Sequence, residues 1–210
     1  MSAIFWRTPR KVALLRDPFD KYFRAAAAMT IGLALGFLMT SASLRAGYGF
    51  GEISVGPWKA WPNLGGDEID PYARASVARR GIAPLGRSEG LVFVAQSDSF
   101  GAPLEGRCDY RIFGTPPAAR FWTIGLASAS GAPLGNAAER YGFASSEVVR
   151  RENGDFEITV AREARPWNWL SPGDARSFVV TLRLYDSALD AAAMRLDPAH
   201  FLQIVKLSCA

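Results

Sequence analysis

The feature that most constrains this chain is a charge-free run from Ala25 to Leu44, AAAAMTIGLALGFLMTSASL. Twenty residues at about 1.5 Å each make roughly 30 Å of helix, the thickness of a bilayer's hydrocarbon core. The run reads as one transmembrane helix over residues 25–45. Its flanks are unequal. Six basic residues (Arg7, Arg10, Lys11, Arg16, Lys21, Arg24) and two acidic ones (Asp17, Asp20) precede it, and Arg45 alone follows directly. The positive-inside bias then makes residues 1–24 a basic cytoplasmic tail and carries the rest across the membrane. The competing reading is a secretory signal cleaved after Ala42, since Thr40-Ser41-Ala42 offers small residues. An apolar run longer than the usual stretch of about 7–15 residues favours a signal anchor that stays in place. Both readings export the domain.

The whole chain carries 24 basic and 20 acidic residues, a net charge of +4. The first 24 positions account for that excess, so the exported part is neutral and nucleic acid is excluded as a partner. Ala28, Gly32, Gly36 and Thr40 recur every fourth residue and leave one helix face smooth, which allows a weak helix-mediated dimer in the membrane.

Beyond the helix, Gly47-Tyr48-Gly49-Phe50-Gly51 suits a headgroup-level junction, and residues 46–66 are expected to be a linker and entry segment. The domain proper is placed at residues 67–210. Asp70-Pro71 reads as a cap and first turn of a helix running from Tyr72 to Arg80 and stopped by Gly81. Then strands take over. Gly90–Gln96 (GLVFVAQ) is expected to be buried, while Arg107–Phe113 alternates, with Cys108, Tyr110 and Ile112 on one face. Phe121–Leu126 follows, and Asn153-Gly154 predicts a hairpin between Glu147–Arg151 and Phe156–Val160. Ser177–Tyr185 and Phe201–Leu207 complete the set, with a short helix expected around Ala188–Arg195. Short strands between turn signals predict a mainly β domain, an antiparallel β-sandwich of jelly-roll type, preceded by the one transmembrane helix.

Several of these segments are familiar together: Cys108-Asp109-Tyr110-Arg111-Ile112, Phe121-Trp122-Thr123, Asn153-Gly154-Asp155-Phe156, Asn168-Trp169-Leu170, Leu182-Arg183-Leu184-Tyr185-Asp186 and the terminal Cys209. In this order they resemble a bacterial family known as domain of unknown function 1214, over roughly Glu89 to Ala210. The resemblance implies a jelly-roll-like sandwich and no established reaction. Family members are sometimes preceded by a second domain of unknown function, whereas here a membrane anchor is expected in its place. For a bacterial chain the anchor implies an inner-membrane protein with a periplasmic domain.

Two cysteines in an oxidising compartment suggest a Cys108–Cys209 disulfide, the alternative being two buried free thiols. The single histidine, His200, would need Ser171 or Ser187 and an aspartate to build a hydrolytic relay, and no G-x-S-x-G elbow is present. One imidazole and two cysteines leave too few soft ligands for a zinc-type metal site, so no metal and no cofactor are expected. The acidic group Asp67, Glu68 and Asp70 precedes a helix start, where carboxylates cap unpaired amides more simply than they bind calcium.

The aromatic residues carry the strongest functional hint. Trp167 and Trp169 flank Asn168 between Pro166 and Pro172, where rings beside an amide can stack on and hydrogen-bond a sugar. Trp58 and Trp61 form a second group, and in both places closing the core is the competing role. Arg183 lies in an apolar strand, either solvated or aimed into a cavity to hold an anion in its fork. The candidate ligand-binding residues are therefore Trp167, Asn168, Trp169 and Arg183, and catalytic residues are not identified. The leading expectation is a non-enzymatic envelope domain that binds a glycan, a peptide or an envelope protein at a loop end of the sandwich. The second is an envelope hydrolase or lyase acting there on carbohydrate or lipid.

Overall fold

A computed structural model describes residues 18–46, 51–66, 69–80, 84–86, 89–187 and 196–209. The chain divides near residue 44 into two compact units, each considered by itself.

The first holds helix α1 (Pro18–Ala46), which starts earlier than the charge-free run suggests. Pro18 occupies the first helical position, where its missing amide costs nothing. One turn on, Asp20 and Arg24 pair at 2.9 Å and let the helix continue through charged residues. Met29, Ile31, Leu33, Leu35 and Phe37 are each more than half exposed, and Phe19–Ser43 is long and apolar enough to cross a membrane. Thr30 donates its hydroxyl to the Ala26 carbonyl at 2.9 Å, so this polar group asks nothing of its surroundings.

The second unit is a mainly β sandwich of two sheets, as the strand pattern predicts. Ten strands build it: β1 (Ile53–Val55), β2 (Trp58–Ala60), β3 (Gly90–Ala95), β4 (Cys108–Phe113), β5 (Phe121–Ala127), β6 (Gly142–Ala144), β7 (Glu157–Val160), β8 (Asn168–Leu170), β9 (Val179–Tyr185) and β10 (Gln203–Cys209). One sheet runs β1-β2-β3-β9-β5-β6 and the other β10-β4-β7-β8. All pairs in the first are antiparallel. In the second, β7 and β8 pair parallel, a departure from the expected all-antiparallel arrangement. Residues 161–167 join them, too few for a helical crossover, so the chain loops back tightly at the sheet edge.

Alternation along each strand decides the core. Leu91, Phe93, Val180, Leu182, Leu184, Trp122 and Ile124 from the larger sheet meet Tyr110, Ile112, Ile158, Val160 and Ile204 from the smaller. Trp122 stacks on Phe156 at 5.0 Å and Tyr110 meets Phe178 edge-on at 5.6 Å, geometries that add to simple burial. The buried Tyr110 hydroxyl accepts from the Glu105 amide at 2.8 Å, and burial raises its pKa. Cys108 and Cys209 are directly paired at the end of the β4–β10 ladder and form a disulfide.

Three expectations change. The sheet begins before residue 67: within the expected linker and entry segment, β1 and β2 form a hairpin that extends the larger sheet, because Trp58 is fully buried and donates its indole N–H to the Leu202 carbonyl at 2.6 Å. Asn153-Gly154 does form a turn, with Gly154 at φ +86°, but only its second arm is a strand. The first arm contributes a single bridge, Arg150 to Phe156, since the backbone N–H and C=O of Val149 both bond a side chain instead. Gly90–Gln96 alternates in burial rather than being buried on both faces, which leaves Val92 and Val94 on an outer surface. The helix α2 (Pro71–Arg80) forms as expected, capped by the Asp70 carboxylate on the amides of Tyr72 and Ala73 at 2.6 and 3.3 Å. Asp67, Glu68, Gly81 and Ala188–Arg195 lie outside the described residues.

Candidate functional site

The structure places Asn168 and Trp169 on one sheet, Trp167 in the connection just before them and Arg183 on the other sheet. Asn168 opens β8 and is 2% exposed. Its carboxamide oxygen accepts from the Val149 amide at 2.8 Å, and its nitrogen donates to the carbonyls of Val149 and Glu157, both at 2.9 Å. One side chain thus imitates a strand edge, with both N–H donors and one lone pair of its oxygen engaged by backbone. Trp169 is half-buried and gives its indole N–H to the Ala161 carbonyl at 2.9 Å.

Trp167 is different. It is 80% exposed and its φ is +68°. The left-handed region costs an L-residue about 1–2 kcal/mol, and a large ring left in water forgoes a burial gain of about 1.5–3 kcal/mol. The hydrogen-bonded Asn168 and Trp169 on one side and Pro166 on the other impose both conditions. The ring borders a cavity of about 350 Å³ shared with Arg151, Glu157 and Thr159. Arg151 pairs with Glu157 at 3.2 Å, and Arg150 donates to the Gly154 carbonyl while lying 5.3 Å over the Phe156 ring. The result is an exposed aromatic plate beside a wall that carries two arginines, Arg150 and Arg151, and one carboxylate, Glu157.

Arg183 sits mid-way along β9, the central strand of the larger sheet, on the face away from the core with Thr181 and Tyr185. Val92 and Thr123 flank it on β3 and β5. It lines two depressions: about 90 Å³ on the β3 side, walled by Trp61, Pro62, Leu64 and Leu85, and about 380 Å³ toward β6, bordered by Tyr141 and Glu147. Gly125 and Gly142 let β5 and β6 approach closely beside the second, because a Cβ on either would lie 2.9 or 2.5 Å from a carbonyl oxygen across the pairing. The sequence argument put Arg183 and the tryptophan segment at one end of the sandwich; the cavity beside Trp167 does not include Arg183.

His200 is exposed, with its Nδ1 2.8 Å from Asp197 Oδ2. The Ala199 amide and then His200 hold the Asp197 carboxyl below its ordinary pKa. Ser171 accepts from the Gly173 amide at 3.1 Å and Ser187 donates to the Ala118 carbonyl at 3.2 Å, so each hydroxyl is engaged locally. Among the described residues no three His, Cys, Asp or Glu side chains are grouped to hold a metal. Sequence reasoning missed Phe100, 83% exposed at a turn held by the buried Asp98, whose Oδ1 accepts from the amides of Phe100 and Ala102. The Ser97-Asp98-Ser99-Phe100-Gly101 run was the available signal, an Asx-type turn with glycine at φ +89°.

Residues 89–189, from β3 through β9, match the family described as "Protein of unknown function (DUF1214)". No curated protein matches. Among solved structures, the VPA0106 protein of Vibrio parahaemolyticus is similar in fold, with a TM-score of 0.52 and 17% identity over 67% of this chain and 36% of its own. An uncharacterised protein from Burkholderia cenocepacia aligns over 95% of this chain and 46% of its own at 13% identity, with a TM-score of 0.41. The chain thus spans less than half the length of either.

Proposed function

We propose that this chain, whose sandwich matches the DUF1214 family over residues 89–189, is a membrane-anchored binding protein of the bacterial envelope that presents Trp167 to a glycan. In this reading α1 is a signal anchor in the inner membrane, the basic tail stays in the cytoplasm and the sandwich works in the periplasm. The observation that carries it is the Trp167 backbone: an indole held in a left-handed conformation and 80% exposed. Strain of this kind persists where surrounding structure over-determines it, and it concentrates at ligand contacts. A flat exposed ring offers a stacking surface to the apolar face of a sugar, while Arg151, Glu157 and Thr159 supply donors and acceptors for its hydroxyls.

The test uses the full chain in lipid nanodiscs and N-acetylglucosamine oligomers as the probe, with binding followed by intrinsic fluorescence and by ligand-observed NMR. Saturable binding that falls at least tenfold in Trp167→Ala, with the melting temperature lowered by no more than about 4 °C, supports the reading. Equal binding by wild type and variant, or none by wild type, overturns it.

A further inference from the structure

We propose a second site, on the outer face of the larger sheet, that takes a small aliphatic carboxylic acid, its carboxylate on Arg183 and its hydrocarbon against the β3 side. It lies on the other sheet from Trp167 and stands independently of the glycan reading. Strands β3, β9, β5 and β6 contain one charged residue between them, Arg183. That residue is half-buried, and among the described residues its guanidinium has no hydrogen bond or ion pair. Its fork is therefore open to an anion from solvent.

The neighbouring acids are engaged elsewhere. Glu147, in the adjoining depression, accepts from the Ala144 amide at 3.0 Å. Glu89 accepts from the Gly86 amide at 3.0 Å, and Asp186 faces Arg120 at 3.7 Å. Lys59 on β2, the next strand beyond β3, is neutralised by Glu52 at 2.8 Å. Among the described residues lining the smaller depression Arg183 alone is charged, so the charge offered to a ligand there is positive and comes from a fork suited to a carboxylate.

The walls define the remainder of the ligand. Val92 and Val94 form the floor, and Trp61, Pro62, Leu64 and Leu85 close over it. With a water needing about 10–15 Å³ by the same measure, 90 Å³ admits on the order of six to nine small heavy atoms. That excludes a long acyl chain and suits a short one. Gln96 and Thr181 line the same cleft, though Thr181 already donates to the Gly125 carbonyl at 3.3 Å. Recognition therefore rests on the arginine fork and the apolar walls.

Hexanoate, 1-hexanol and acetate serve as probes in saturation-transfer NMR on the full chain in nanodiscs, with empty discs subtracted. Hexanoate is expected to bind saturably and at least tenfold more tightly than either of the other two. Arg183→Met removes the advantage over hexanol, and Arg183→Lys recovers part of it. Val94→Phe, which fills the apolar floor, weakens hexanoate while leaving the weak acetate signal unchanged. Absence of saturable hexanoate binding, equal affinity for hexanoate and hexanol, or an Arg183→Met variant that melts like wild type and still prefers hexanoate overturns the proposal.

Discussion

Replacing Trp167 by glycine and by alanine separates a strained, ligand-facing ring from an ordinary surface residue. Both variants lose the indole contacts with the domain. A buried tryptophan covers about 150–250 Å²; with the ring 80% exposed, about a fifth of that, or roughly 1 kcal/mol at about 25 cal/mol/Å², is lost in each. The backbone distinguishes them. Alanine keeps a Cβ at φ +68° and retains the left-handed cost, whereas glycine relieves about 1–2 kcal/mol of it. Glycine also frees the unfolded chain, which takes back about 0.4–1 kcal/mol. Trp167→Gly should therefore be more stable than Trp167→Ala by about 0.5–1 kcal/mol, the reverse of the order at a regular helix or strand position. For a domain of this size that is a difference of roughly 1–4 °C in melting temperature, measurable by calorimetry on the full chain. An alanine variant as stable as the glycine variant, or more so, would refute the strain and with it the argument that the loop is built to hold the ring outward.

Asn168→Ala leaves the Val149 amide, the Val149 carbonyl and the Glu157 carbonyl without their partner; a loss of about 2–4 kcal/mol is expected, read from denaturant midpoints, and a loss under about 1 kcal/mol would contradict this account. The Cys108–Cys209 disulfide closes a separation of 101 residues, so Cys209→Ser is expected to lower stability by about 4.7 kcal/mol in the chain-entropy model, with one free thiol appearing on alkylation of the unfolded protein. Gly90→Ala places a Cβ 1.9 Å from the Leu184 carbonyl oxygen at φ +155°; because the obstacle is backbone of the central strand, a loss of at least about 2 kcal/mol should appear in thermal melts.

The parts of this fold that sequence reveals are those in which one residue's neighbours along the chain decide its fate. The alternation of Cys108, Tyr110 and Ile112 shows an inward face without any knowledge of what it packs against, and all three are buried. The Asp70 cap and the apolar run are equally local. Strands β1, β2, β6 and β8 have three residues each, too few to display a period, and their existence depends on partners brought in from elsewhere. The Glu147–Arg151 arm shows the converse. It has the sequence of a strand beside an Asn-Gly turn, yet a carboxamide 19 residues from Val149 displaces the ladder that would have formed.

The candidate site was half legible for the same reason. Its aromatic and arginine residues stand out by type, but sheet membership is a long-range property, and β8 and β9 join different sheets although only eight residues separate them. Asn168 shows what residue type alone conceals. Between two tryptophans it reads as a polar contact for a sugar, while its atoms are spent on the backbone of two distant segments. That expenditure has a functional consequence in the proposed reading. A seven-residue return between parallel strands must reverse sharply, Asn168 anchors its end, and the strain falls on the residue just before the anchor. A tryptophan at that position cannot fold back onto the core without breaking the amide that fixes β8. The buried asparagine therefore positions the exposed ring, and the two residues act as one device: Asn168→Ala should weaken glycan binding as well as stability.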